Sequence, residues 1–317
     1  MAIIGKTAEL AAGIDADQVE REAVRNGISN ADCGTSDERI AGVIDDEIEE
    51  SGNSWKERQE ILEDRSGMIL KELVRRSSIM KEAYPFRLDG QSLQHVPSQS
   101  GVYEFCLAAA VSPNFRISPN PPASVVFEWI SRDALRAYFG PRSQGFRTGW
   151  PRAPKFEKRG SRAKQTFEAL GKLCGKDFRW SPTPPNCMDP QPKDLKDAGL
   201  DIVVWIPWAD ERFSQFIALG QCGCGRHDVG LNKARDLSLK RLNTWLKPLA
   251  AAEPYRCFFL AHHVPSDILL FQLASEGGMV FDRARIAVIA HQEPEMLKSV
   301  EGIDYLSLAK RYLSNGN

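Results

Sequence analysis

Beyond residue 200 the chain breaks into short apolar runs separated by polar turns, on the scale of strands. "LDIVVWI" (200–206) and "QFIALGQC" (215–222) each supply a strand of five to seven residues, and "PWADERFS" between them predicts a hairpin. "LNKARDLSLKRLNTWLKPLA" (231–250) predicts one helix with apolar Leu231, Leu237, Leu242 and Leu246. "YRCFFLAHHV" (255–264) and "MVFDRARIAVIA" (279–290) read as strands flanking the helix "SDILLFQLA", and a final helix spans about 294–313. A hairpin followed by a helical crossover implies an α/β fold, with a mixed central sheet flanked by helices.

Upstream the pattern is helical. Residues 1–36 are rich in Gly, Asp, Asn and Ser and give only weak helical signals, whereas 37–84 carry clear apolar faces through Ile40, Val43, Ile44, Trp55, Ile61, Ile69, Leu70 and Leu73. Pro85 and Gly90 end this region, which sets a boundary near 95 between a helical N-terminal region (1–95) and an α/β domain (96–317) with its core at about 164–290. Within the second part, 101–112 and 125–140 read as helices, the latter closed by Gly140. A basic loop follows, then a helix at 164–177 and a Pro-rich, irregular stretch at 180–194.

Composition adds two constraints. The 317 residues are 42% hydrophobic and 26% charged, ordinary globular material, without an apolar run of membrane-spanning length. With no basic-then-apolar leader at "MAIIGKTAEL", the seven scattered cysteines read as reduced thiols of a cytoplasmic protein. Charge is uneven. Residues 1–64 hold 17 acidic and 6 basic side chains, either a solvated helical face or a tail covering a basic surface. Residues 142–164 hold eight basic side chains against one Glu: Arg142, Arg147, Arg152, Lys155, Lys158, Arg159, Arg162 and Lys164, interleaved with Phe146, Trp150 and Phe156. Cations neutralise phosphates and aromatic faces stack on bases, so this segment is the candidate nucleic-acid contact; a solvated loop has the same composition.

The candidate chemistry sits at the hairpin's ends. Asp201 opens the first strand and Gln221 closes the second, and antiparallel pairing makes them neighbours. A carboxylate beside a second oxygen donor is how a hard cation such as Mg²⁺ or Mn²⁺ is held. A separation above about 8 Å would instead argue for an unrelated α/β enzyme of small-molecule metabolism. Cys222, Cys224 and His227, with Cys257, His262 and His263 nearby in the fold, are a weaker zinc candidate that lacks a second Cys-x₂-Cys half. His262 and His263 are otherwise loop histidines or phosphate contacts. Arg283 and Arg285 read as a salt-bridged edge strand or as phosphate contacts. No Walker, dinucleotide or Gly-x-Ser-x-Gly loop is present.

"FEAL" on a helix, then "KDAGLDIVVW", then a strand ending in Gln resembles the PD-(D/E)xK nuclease superfamily, in particular Mrr-like restriction endonucleases. Asp197-Ala-Gly-Leu-Asp201 matches the strand entry and Gln221 the first position of the last motif. The resemblance implies an αβββαβ core over 164–264 and Mg²⁺-dependent cleavage of DNA in restriction or antiviral defence. It also implies Asp201, Gln221 and Glu168 as metal ligands. Glu128 in "VFEWI" shares the Phe-Glu pairing, so the helical carboxylate has two candidates, and Asp197 is a turn residue or a ligand. The motif's lysine position is Gly223 here, and Lys233 is the candidate for a lysine displaced to the next helix. Without such a lysine, the expectation becomes a catalytically silent subunit that binds nucleic acid or a partner protein in a defence complex. A regulating partner and homo-oligomerisation fit either case.

Overall fold

The computed structural model describes residues 2–32, 55–111, 121–148, 170–172, 177, 199–225, 231–243, 246, 252–297 and 302–314. Two long helices, α1 (Ala2–Asn26) and α2 (Trp55–Met80), lead into a small antiparallel sheet. Its strands are β1 (Ile28–Asn30), β2 (Phe86–Asp89) and β3 (Ser92–His95), in the order β1-β3-β2. Helices α3 (Val102–Ala109) and α4 (Ala123–Phe139) follow, then the strands β4 (Gln144–Arg147), β5 (Ile202–Ile206) and β6 (Phe216–Gly223). Short helices α5 (Leu231–Ala234) and α6 (Leu239–Leu242) precede β7 (Tyr255–Leu260), and α7 (Asp267–Gly277) precedes β8 (Met279–Phe281). Helices α8 (Arg283–Gln292) and α9 (Tyr305–Ser314) close the described chain. No helix among the described residues is long and apolar enough to cross a membrane.

The five-stranded sheet runs β4-β5-β6-β7-β8. Its β4, β5 and β6 are antiparallel, and β6, β7 and β8 are parallel, so β6 joins the two kinds of ladder. Alternate residues leave a strand on opposite faces, and the core divides accordingly. Ile202, Val204, Ala218, Cys257, Phe259 and Phe281 pack with the helical cluster on one face. Val203, Trp205, Ile217 and Leu219 pack with Leu237, Leu242 and Leu246 on the other. Phe258, Leu260 and Val280 meet α7 through Leu273. The largest cluster draws on residues from Ala16 to Leu313, on both sides of position 95.

Five sequence expectations change. The weakly helical 1–36 contains the 25-residue α1. The basic stretch from 142 contains a strand, β4, which pairs with β5 from Gln144↔Trp205 to Arg147↔Ile202. The single helix expected over 231–250 breaks after Ala234, because the Ser238 side chain caps a new turn by accepting from Arg241 N. The strand expected over 279–290 stops at Phe281: Asp282 caps α8 by accepting from Arg285 N at 3.1 Å, and the alternation in "DRARI" gives way to helix. The closing helix begins at Tyr305, with a turn rather than a helix at 294–297.

A buried ionic network joins the two ends of the chain. Arg76 on α2 and Arg283 on α8 are 1% and 0% exposed. Arg76 donates to Asp17 at 2.7 Å, to Glu72 at 2.9 Å and to the Gly13 carbonyl at 2.9 Å, and lies 2.9 Å from Glu20. Arg283 donates to Asp17 and lies over the Tyr103 ring at 5.0 Å. Tyr84 and Tyr103 donate their hydroxyls to Glu20. Burial alone would raise the Asp17 carboxyl, but Arg283 and Arg76 hold it well below the usual carboxylate range.

Candidate functional site

The hairpin brings Asp201 and Gln221 together. Asp201 N donates to the Gly220 carbonyl at 3.0 Å, and the Asp201 Oδ2 accepts from Cys222 N at 2.7 Å, so Asp201 bonds to the residues on both sides of Gln221. Its own carbonyl accepts from Thr148 N at 2.8 Å, which extends the β4 side of the ladder. Gly199, two residues upstream, has φ +78°, and a Cβ there would lie 2.8 Å from the Asp236 backbone. The Asp-x-Gly-x-Asp spacing thus has a local reason: only glycine adopts this conformation at no cost and lets the 235–238 turn approach.

Gln221 is 1% exposed and fully engaged with that turn. Its Oε1 accepts from Leu237 N at 3.0 Å, and its Nε2 donates to Asp236 Oδ2 at 3.3 Å. Lys233 Nζ lies 3.6 Å from the same Asp236 oxygen. Lys233, Asp236 and Gln221 therefore form one polar chain leading to the strand end. Asp236 escaped the sequence reading, although its i,i+3 spacing from Lys233 was a usable signal. Gly223 pairs with Leu260 at the end of β6, so the strand places no side chain where the family lysine would stand.

On the other face, α4 packs against β4, β5 and β6 and brings Glu128, 12% exposed at its side chain. Glu128 Oε2 accepts from Arg147 Nη1 at 2.6 Å, and the guanidinium lies 5.6 Å from the Trp129 ring centre. Arg147 is thus a buried partner within the site, and Arg142 is the exposed arginine of the pair that opens the basic segment. The Cys222 thiol is pushed well above its ordinary range, first by burial and then by the Asp201 and Glu128 carboxylates. Both carboxylates therefore act on one point at the strand end. Beside it the buried Ser131 hydroxyl has no well-formed hydrogen bond.

Glu168, Asp197, His227, Arg152, Lys155, Lys158, Arg159, Arg162 and Lys164 lie outside the described residues. Among the described residues no three His, Cys, Asp or Glu side chains stand together as ligands for a metal ion. Burial pushes the Cys106 and Cys257 thiols up to about 12, which marks them as inert core groups. His262 donates from Nε2 to the Gly225 carbonyl at 3.0 Å. His263 is buried: its Nε2 lies 2.6 Å from Arg75 Nη2 and accepts from it, while Nδ1 faces Asp282 at 3.0 Å. Arg283 is consumed by the core network, and Arg285 donates to the Val280 carbonyl at 2.6 Å.

No protein-family model, no curated protein and no solved structure matches the chain.

Proposed function

We propose that the chain is a metal-dependent nuclease that hydrolyses DNA phosphodiester bonds in restriction or antiviral defence. The observation that carries this reading is the juxtaposition of Asp201 with the residues flanking Gln221 across a hairpin, with Asp236 and Lys233 joined to Gln221 on one face and Glu128 on the other. The element order supports it: helix α4, three antiparallel strands, a helical crossover and a parallel strand follow the αβββαβ order of the PD-(D/E)xK resemblance. In this alignment α4 takes the place of the 164–177 helix, and Glu128 that of Glu168.

The donor set fits Mg²⁺ or Mn²⁺ in kind. Asp201 and Glu128 are hard oxygen donors of the kind Mg²⁺ takes, and the charge of both reaches the Cys222 thiol. When bound, such a cation supplies Lewis acidity and a water of lowered pKa. The chain's own groups do the rest. Asp201 is fixed by Cys222 N with one oxygen directed into the ladder. Gln221 holds the 235–238 turn, and Lys233, which pairs with Asp236 of that turn, is the cation proposed to meet charge developing on a phosphate. Arg147 orients Glu128 through its 2.6 Å bond. Arg142 and the basic segment it opens supply affinity for the backbone rather than sequence choice.

A second reading, a silent nucleic-acid-binding or partner-binding subunit of a defence complex, is favoured by Gly223 at the lysine position and by the pairing of Lys233 with Asp236. Incubating plasmid and linear DNA with Mg²⁺ or Mn²⁺ separates the two. Nicking or linearisation by the wild type, lost in Asp201→Ala, is the expected result. Retained binding without cleavage by the wild type under every condition sinks the enzyme reading in favour of the second.

A further inference from the structure

Aromatic rings run in contact across the end of the mixed sheet that lies away from Asp201. Tyr255 on β7 meets Phe216 on β6 at 5.2 Å between ring centres, Phe216 meets Phe139 of α4 at 4.8 Å, and Phe139 meets Tyr138 at 5.7 Å. The two outer members are 57% and 56% exposed, and Phe216 and Phe139 are half-buried. Trp208 and Phe213, 57% and 52% exposed, stand on the turn just beyond Phe216. Three residues after Phe139, the exposed Arg142 opens the segment that carries eight basic residues and one acid. Phe216 and Phe139 pack against the core with part of each ring open, and exposed Tyr138 and Tyr255 at either end, with the Arg142 cation following, match stacking surfaces beside phosphate-neutralising charge.

We infer that Tyr138, Phe139, Phe216 and Tyr255, with Arg142, form a platform on which unpaired bases of a single-stranded nucleic acid stack. Duplexes hide their base faces, so the rings select strands or junctions with unstacked bases, while Arg142 supplies sequence-independent affinity. Five residues along β6 separate Phe216 from Gln221, about 17 Å at strand rise. This inference rests on the nucleic-acid reading above and narrows it to substrates with single-stranded character.

The test is fluorescence anisotropy in EDTA, with the full chain and a labelled oligothymidylate strand or a duplex of equal length. Wild type should bind the single strand more tightly than the duplex. Tyr138→Ala/Tyr255→Ala should weaken single-strand binding at least about tenfold, and Tyr138→Phe/Tyr255→Phe should restore it, because the ring and not the hydroxyl stacks. Both tyrosines are more than half exposed, so the variants should fold, and an unchanged melting curve checks this. Equal binding by the alanine variant, or a wild type that prefers duplex, overturns the platform. If the wild type binds no single strand yet cleaves duplex DNA, the platform falls, the rings are left to a protein partner and the hydrolysis reading stands.

Discussion

Asp282 shows how much one side chain at a strand end can carry. It caps α8, accepts from Val264 N at 3.1 Å and faces His263. Burial alone would raise its carboxyl, but the His263 imidazole 3.0 Å away and two backbone donors bring it down to about 2. A carboxyl held below its ordinary value stabilises the fold above that value and loses the contribution as pH falls toward 2. Denaturant melts between pH 5 and 2 should therefore show about 2 kcal/mol of acid-dependent loss from this group, absent in Asp282→Asn. A variant with the wild-type slope would contradict the account, since Asp17 and Glu104, held low by other partners, remain in both chains. The sequence placed Asp282 and Arg283 on an edge strand because "FDRARI" alternates apolar and charged positions. What decides for helix is a cap bond between Asp282 and Arg285, a local interaction that hydrophobic periodicity does not register.

At the level of elements, the hairpin was legible and the turn that packs on it was not. β5 is β-branched and β6 is largely apolar, with a polar connection, and that pattern alone places Asp201 opposite Gln221. The leucines of 231–250 hide a break, because Leu237 serves the core while its amide is claimed by Gln221. The third antiparallel strand, β4, was obscured by the arginines around it, and Arg147 points inward only because Glu128 waits on α4. Gly199→Ala tests the docking of strand entry on turn. A side chain at φ +78° and 2.8 Å from backbone should cost about 2 kcal/mol and lower the melting temperature. It should also reduce any cleavage, since Lys233 on α5 pairs with Asp236 of that turn; full stability in the variant would refute the packing. Ser238→Ala should cost less, about 1 kcal/mol, by removing the α6 cap.

For the whole molecule, the decisive pairs are far apart in sequence, which is why α1 looked weakly helical. Its Asp17 and Glu20 are poor advertisements for a buried face until Arg76 and Arg283 are placed against them. Removing one partner strands a charge without water, so Arg76→Ala should cost about 3–5 kcal/mol by chemical denaturation. Circular dichroism and tryptophan fluorescence should fall in one transition, because the network ties the N-terminal helices to the elements that flank the sheet. Two separated transitions would show that the halves unfold independently. Asp17 and Arg283 are 266 positions apart, and that span sets a schedule for the newborn chain. At about 5–20 residues per second, α1 leaves the ribosome some 15–50 s before its arginine partner on α8 exists. For that interval α1 has Arg76 of α2 but not Arg283 to pair its acids, so a stalled nascent chain ending before Arg283 should be cut by protease within α1 faster than the released protein.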